Sequence, residues 1–146
     1  MVKVVATFGS FDIIHPGHLL YLKEARQLGD KLVVVIARDE SVLQLKGREP
    51  IMDQEARREV VEAIKYVDKA VVGNRIAKPE DRYNILLEIK PDIIAFGYDQ
   101  KVDEKDVEDW LAEHGVKTKV VRIKKHSDPE IFKSSKIKKK LAEFYS

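Results

Sequence analysis

The stretch Thr7-Phe8-Gly9-Ser10-Phe11-Asp12-Ile13-Ile14-His15-Pro16-Gly17-His18 decides how this chain is read. An apolar run, Val4-Val5-Ala6, precedes it, and Leu19, Leu22, Ala25 and Leu28 follow at helical spacing. The stretch therefore reads as strand, tight turn and helix. Pro16 suits the first helical turn, where a missing N–H costs nothing. Residues three apart at such a start face the same way, so His15 and His18 are expected to converge on one ligand above the sheet. Gly9 lets the backbone bend and approach that ligand closely. The free N–H groups of the helix N-terminus and the positive end of its dipole make an anion site. The combination suits a triphosphate. A metal site is the weaker reading, because no carboxylate or cysteine accompanies the pair at ligand spacing.

Outward from this turn, short β-branched runs alternate with amphipathic stretches over the whole chain. The runs are Lys3–Thr7, Leu32–Ala37, Ala70–Val72, Asp92–Phe96 and Val116–Ile123. The pattern is that of a parallel sheet flanked by helices, and Leu32-Val33-Val34-Val35-Ile36 has the unbroken apolar character of a central strand. A single α/β domain over residues 1–146 is expected, a Rossmann-like, doubly wound, five-stranded parallel sheet in order 3-2-1-4-5 with helices on both faces. That order sets the histidine turn beside the end of the fourth strand.

The helices follow from caps and spacing. Residues 17–28 form the first, closed by Gly29. Arg38–Leu45 form a short one before the polar loop Lys46-Gly47-Arg48-Glu49-Pro50. Asp53 caps the next, with Ala56, Val60, Ala63, Ile64 and Val67 on its inner stripe. Residues 79–89, opened by Pro79, follow. Asp103 caps a helix with Val107, Trp110, Leu111 and His114 on one face, ended by Gly115; His114 is given no chemistry. From Ser134 a last helix carries Ile137, Leu141 and Phe144, with Lys138-Lys139-Lys140 expected as a solvated face.

Composition narrows the function. The 146 residues include 27 basic and 25 acidic ones for a net charge of +2, with no cysteine. Balanced charge with no aromatic platform among the lysines argues against a nucleic-acid partner. No run approaches a membrane span or a signal peptide. The lack of cysteine fits a reducing, cytoplasmic setting and excludes disulfides. The charged fraction, 36%, also suits a thermophile.

Two further constellations carry chemistry. Gly97-Tyr98-Asp99-Gln100 follows the fourth strand, where Gly97 permits close backbone approach and Asp99 can hold a ribose hydroxyl, an amino group or a metal-bound water. Ser134 and Ser135 stand at a helix start, where hydroxyls and N–H groups suit the β- and γ-phosphates of a nucleotide. One of them can also act as the N-cap.

Gly9-Ser10-Phe11-Asp12 with His15-Pro16-Gly17-His18 resembles the His-x-Gly-His signature of the nucleotidyltransferase superfamily, which includes cytidylyltransferases and pantetheine-phosphate and nicotinamide-nucleotide adenylyltransferases. Phe132-Lys133-Ser134-Ser135-Lys136-Ile137 resembles its second, Ser/Thr-rich signature, with Phe132-Lys133 in place of the usual Ile-Ser. The arginine that cytidylyltransferases carry just before this motif is replaced by Lys124-Lys125-His126. Arg57 matches an arginine of the cytidylyltransferase pattern, whereas Lys65 stands where those enzymes tend to have a second one, and an ammonium lacks the bidentate fork. Ala37-Arg38-Asp39, Lys46-Gly47-Arg48 and Gly97-Tyr98-Asp99-Gln100 look more like archaeal-type FAD synthetases, which are single-domain FMN adenylyltransferases. Those carry functional cysteines near the C-terminus; this chain has none.

The resemblance implies nucleotidyl transfer, with ATP and FMN as substrates and pyrophosphate released. CTP-dependent transfer to glycerol 3-phosphate or phosphoethanolamine is the alternative, and a non-catalytic nucleotide-binding protein is a second. It implies His15, His18 and Lys46 as catalytic. Gly9, Ser10, Phe11, Pro16, Gly17, Gly97, Asp99, Lys125, Ser134 and Ser135 join the two histidines at the nucleotide, and Asp12, Arg48 and Arg57 lie at the other substrate. It also implies a divalent cation such as Mg²⁺ on the nucleotide phosphates. Homodimers are common in the superfamily, though no exposed stripe of this sequence establishes one.

Overall fold

In the computed structural model, which describes residues 2–124 and 134–145, the strands are β1 (Val4–Gly9), β2 (Lys31–Ile36), β3 (Lys69–Val72), β4 (Ile93–Phe96) and β5 (Lys119–Arg122). They form an all-parallel sheet in the order β3-β2-β1-β4-β5, as the alternating pattern predicts. Around it lie α1 (Pro16–Gln27), α2 (Asp39–Lys46), α3 (Gln54–Glu62), α4 (Asn84–Ile89), α5 (Glu104–Glu113) and α6 (Ser134–Tyr145). No described helix is long and apolar enough to cross a membrane.

Right-handed crossovers place α1 and α3 on one face and α4 and α5 on the other. On the first, Leu22, Ala25 and Val61 pack with Val5, Val34, Ile36 and Ala95. On the second, Leu86, Val107 and Leu111 pack with Ala6, Ile94 and Phe96. The alternation of Val5 and Ala6 between the two cores is the period of a strand buried on both faces. Asp53 and Asp103 cap their helices through the amides of Ala56 and Asp106.

Several local expectations are corrected. Gly29 is not a left-handed cap; among the described glycines only Gly47 and Gly115 have positive φ. A Cβ at Gly29 would lie 2.8 Å from the Lys3 carbonyl oxygen, so its smallness serves close packing beneath β1. The inner stripe of α3 is Arg57 and Val61 rather than Ala56, Val60 and Ala63. Spacing logic rejects an arginine from the core, and here a satisfied one occupies it. Residues 79–89 divide into a 3₁₀ turn, Pro79–Tyr83, and α4. Lys46 is the last residue of α2, not part of the following loop, and Gly47 ends the helix with φ 71°.

The strands part where the site lies. β1 pairs with β2 from Val4 to Gly9, but with β4 only from Val5 to Thr7. Chains leaving β1 and β4 turn to opposite faces, which opens a crevice at their C-terminal ends.

Candidate active site

The motif turn is held by its own histidines. His15 is the N-cap of α1, and its Nδ1 accepts the Gly17 N–H at 3.1 Å. The Nδ1 of His18 accepts the His15 N–H at 3.3 Å, completing a reciprocal box. An Nδ1 that accepts is unprotonated, so each neutral ring carries its proton on Nε2. The rings stack with centroids 3.8 Å apart. Burial, then His15 and Lys46, push the His18 pKa down to about 3, and burial lowers that of His15. The site thus holds two neutral imidazoles, each with an Nε2–H donor.

Phe11 supports this pair from below. Its φ is +51°, a left-handed conformation that a bulky side chain adopts only when its surroundings enforce it. The ring is buried, stacks on Tyr21 and tilts against His18 at 5.3 Å. A Cβ at Gly9 would come within 2.5 Å of that ring. Gly9, still in β1 and without positive φ, therefore makes room for the Phe11 ring rather than for a bent backbone. The aromatic ring of Phe11 is thus enclosed in the protein.

Asp12 and Arg57 also turn inward. The Asp12 carboxylate, 3% exposed, accepts the amides of Ile51 and Met52 at 2.8 and 2.9 Å and the ammonium of Lys138. Burial opposes its charge, but the Lys138 and amide hydrogen bonds outweigh that and hold its pKa below the usual value. The Arg57 side chain is 0% exposed and donates to the carbonyls of Ser10 and Met52 and to Asp39 Oδ1 at 2.7 Å. Both residues tie the motif loop to the turn before α3. Every polar contact described for either side chain is internal to the protein.

Cations gather around this frame. Partial desolvation, then Lys138 and Arg48, lower the pKa of Lys46. Lys138 and Arg48 thus lie within electrostatic range of Lys46, and Lys46 within range of His18. Lys138 departs from the expected solvated face: its side chain is 11% exposed and ion-paired, while Lys139 and Lys140 are exposed. His114 sits at the end of α5 with its Nδ1 2.7 Å from the Trp110 carbonyl oxygen.

The other lip of the crevice is braced by residues that periodicity does not reveal. Gln100 donates to the Phe8 carbonyl at 2.9 Å and accepts the Gly97 amide at 2.7 Å. Its amide replaces the backbone bonds that β1 and β4 stop making. Arg122 donates to the carbonyls of Gly97, Gln100 and Val102 and pairs with Glu104, fixing the loop after β4. Asp99 is exposed on that loop. At Gly97 a Cβ would meet nothing closer than 3.4 Å, so packing alone does not require glycine there. Ser134 opens α6, while the side chains of Ser134 and Ser135, and all of Lys125, Phe132 and Lys133, lie outside the described residues.

Among the described residues no three His, Cys, Asp or Glu side chains are grouped to hold a metal ion. The Asp12 oxygens are already engaged.

The parallel sheet in order β3-β2-β1-β4-β5, with a histidine-capped helix start after β1, defines a Rossmann-like α/β protein. Residues 6–140 match the model of the cytidylyltransferase-like family, and the chain belongs to that family. The FAD synthase of Aciduliprofundum boonei is 51% identical to it over 94% of this chain and 88% of that protein. The FAD synthase of Archaeoglobus profundus is 48% identical over 98% of this chain and 88% of its own length. Among solved structures, the lipopolysaccharide core biosynthesis protein from Thermoplasma volcanium superposes with a TM-score of 0.79 at 40% identity, covering 87% of this chain and 100% of that one. Thermotoga maritima TmcAL, bound with alpha-thio ATP, superposes at 0.72 with 14% identity, over 98% of this chain and 51% of that chain, a likeness of fold.

Proposed function

We infer that this chain is an FAD synthase, an FMN adenylyltransferase. The observation that carries the reading is its identity of 42–51% with FAD synthases over 94–98% of its length. The phosphate of FMN attacks the α-phosphorus of ATP, a new P–O–P linkage forms, and the bond to the β-phosphate breaks to release pyrophosphate. An ionised phosphate is already nucleophilic at neutral pH, so positioning and charge neutralisation are the tasks left to the protein.

His15 and His18 serve those tasks as neutral Nε2–H donors to phosphate oxygens, with His18 nearer the α-phosphate. Lys46 and Arg48 neutralise charge on the leaving group and the acceptor. Ser134, Ser135 and the α6 amides hold the leaving phosphates, and Lys125 adds a cation. Pro16 and Gly17 contribute the first turn of α1, while Gly97 and Asp99 approach the nucleoside. Asp12 and Arg57 act on the substrates indirectly, through the loop they fix. The divalent cation enters as MgATP, carried largely by phosphate oxygens.

The test is incubation with Mg²⁺ and ATP or CTP, offering FMN, glycerol 3-phosphate or phosphoethanolamine, with pyrophosphate and FAD measured. FAD from ATP and FMN is expected. Product from CTP alone would assign the site to cytidylyl transfer, and no product from any pair would leave a nucleotide-binding protein.

A further inference from the structure

We propose that Lys138 is a positioning residue that latches α6 onto the motif loop through Asp12 and thereby sets the affinity for the triphosphate. The inference rests on the nucleotidyl-transfer reading above and extends it to a residue outside both signatures. Asp12 lies three residues before His15, inside the motif. Lys138 lies four residues after Ser134, about one helical turn, or roughly 6 Å, along α6. The Asp12–Lys138 contact therefore carries the beginning of α6 to the histidine turn.

Two observations make this contact the strong tie rather than an incidental one. Both partners are nearly enclosed, at 3% and 11% exposure, and Asp12 is itself fixed by the Ile51 and Met52 amides. By contrast, the apolar stripe of α6 is only partly covered: Ile137 is half-buried, while Leu141 is 44% and Phe144 74% exposed. Burial scales with apolar area removed from water, so this stripe holds the helix weakly. An enclosed ion pair instead fixes one register, since a sliding helix would strand the Asp12 charge. Lys138 also lies within electrostatic range of Lys46, so the latch sits beside the cations assigned to the leaving group.

The experiment uses the full chain and the variants Lys138→Met, Lys138→Arg, Lys139→Met, Asp12→Asn and the Asp12→Asn/Lys138→Met double. Lys138→Met is expected to raise KM for ATP by about tenfold or more, as for loss of a hydrogen bond to a charged group. KM for FMN stays near wild type; the melting temperature falls, because Lys138→Met strands the Asp12 charge, and the Asp12→Asn/Lys138→Met double recovers it. Amide exchange across residues 137–144 should accelerate selectively, because local opening governs exchange in a weakly held helix. Lys138→Arg restores most of the affinity, and Lys139→Met, which removes the same charge from the exposed face, changes neither readout. Asp12→Asn raises KM for ATP as well, and the double variant is no worse than the worse single one.

Unchanged KM and unchanged exchange in Lys138→Met would overturn the latch. An equal effect from Lys139→Met would reduce it to bulk charge, and additive effects in the double variant would assign Lys138 to the nucleotide directly. If the wild-type chain makes no FAD, the functional reading fails by itself, while the exchange measurement still decides the latch.

Discussion

The two sides of the proposed nucleotide site are built differently. The motif turn is locked from within. Its histidines cap their own helix, the ring of Phe11 fills the space Gly9 leaves, and Arg57 holds Ser10, Met52 and Asp39 together. The C-terminal helix, in contrast, meets that turn through Asp12 and Lys138 and leaves much of its apolar stripe in water. The comparison teaches that donors aimed at a transition state must be fixed beforehand, because reorganisation at the moment of reaction would cancel their benefit. A segment that engages and releases a polyphosphate works better from a lightly held position.

Changes that break the locked side should have the largest effects. His18→Ala removes one preorganised donor, and turnover is expected to fall by about 10²–10³, with KM for ATP shifting far less. Steady-state kinetics of FAD formation check this; near-normal turnover would remove His18 from catalysis. Arg57→Met strands three acceptors at once. A stability loss of about 3 kcal/mol is expected, discounted for the partial exposure of Asp39. That corresponds to a fall of roughly 10 °C in melting temperature by calorimetry.

The paired histidines make a pH prediction of intermediate size. His18 has a folded pKa of about 3 against an ordinary value of 6.5. The unfolded chain therefore binds more protons between those values, and stability falls as pH is lowered through that window. From pH 7 to pH 5 the loss from His18 is up to about 2 kcal/mol, with His15 adding the same sign. His18→Gln should flatten the dependence of melting temperature on pH over that range. The turnover profile of the wild type should show no histidine inflection near pH 6–7.

The smallest effect sharpens the comparison at the other lip. Gln100→Ala removes the amide that bridges Phe8 and Gly97. About 1 kcal/mol of order in the crevice is at stake, roughly a fivefold rise in KM for ATP. Wild-type kinetics in this variant would make the bridge dispensable.

Residues 7–18 alone announced strand, turn, helix and paired imidazoles, because every signal involved is local: a β-branched run, a glycine, a proline at a helix start and a period of 3.6. The alternation of such runs gave the parallel sheet and its order, since crossover handedness leaves few choices. Caps at Asp53 and Asp103 were legible for the same reason. What those signals could not supply were partnerships across distant segments. Arg57 in a core stripe, Lys138 turned from solvent to Asp12, and Gln100 and Arg122 bracing the β4 loop each depend on a partner far along the chain or supplied by backbone. A charged or polar side chain is buried only when such partners are present, and sequence spacing shows the charge without the partner. The motif was thus written in the chain, while the tertiary structure decided which charged neighbours turn inward to hold it, because only folding brings their distant partners together.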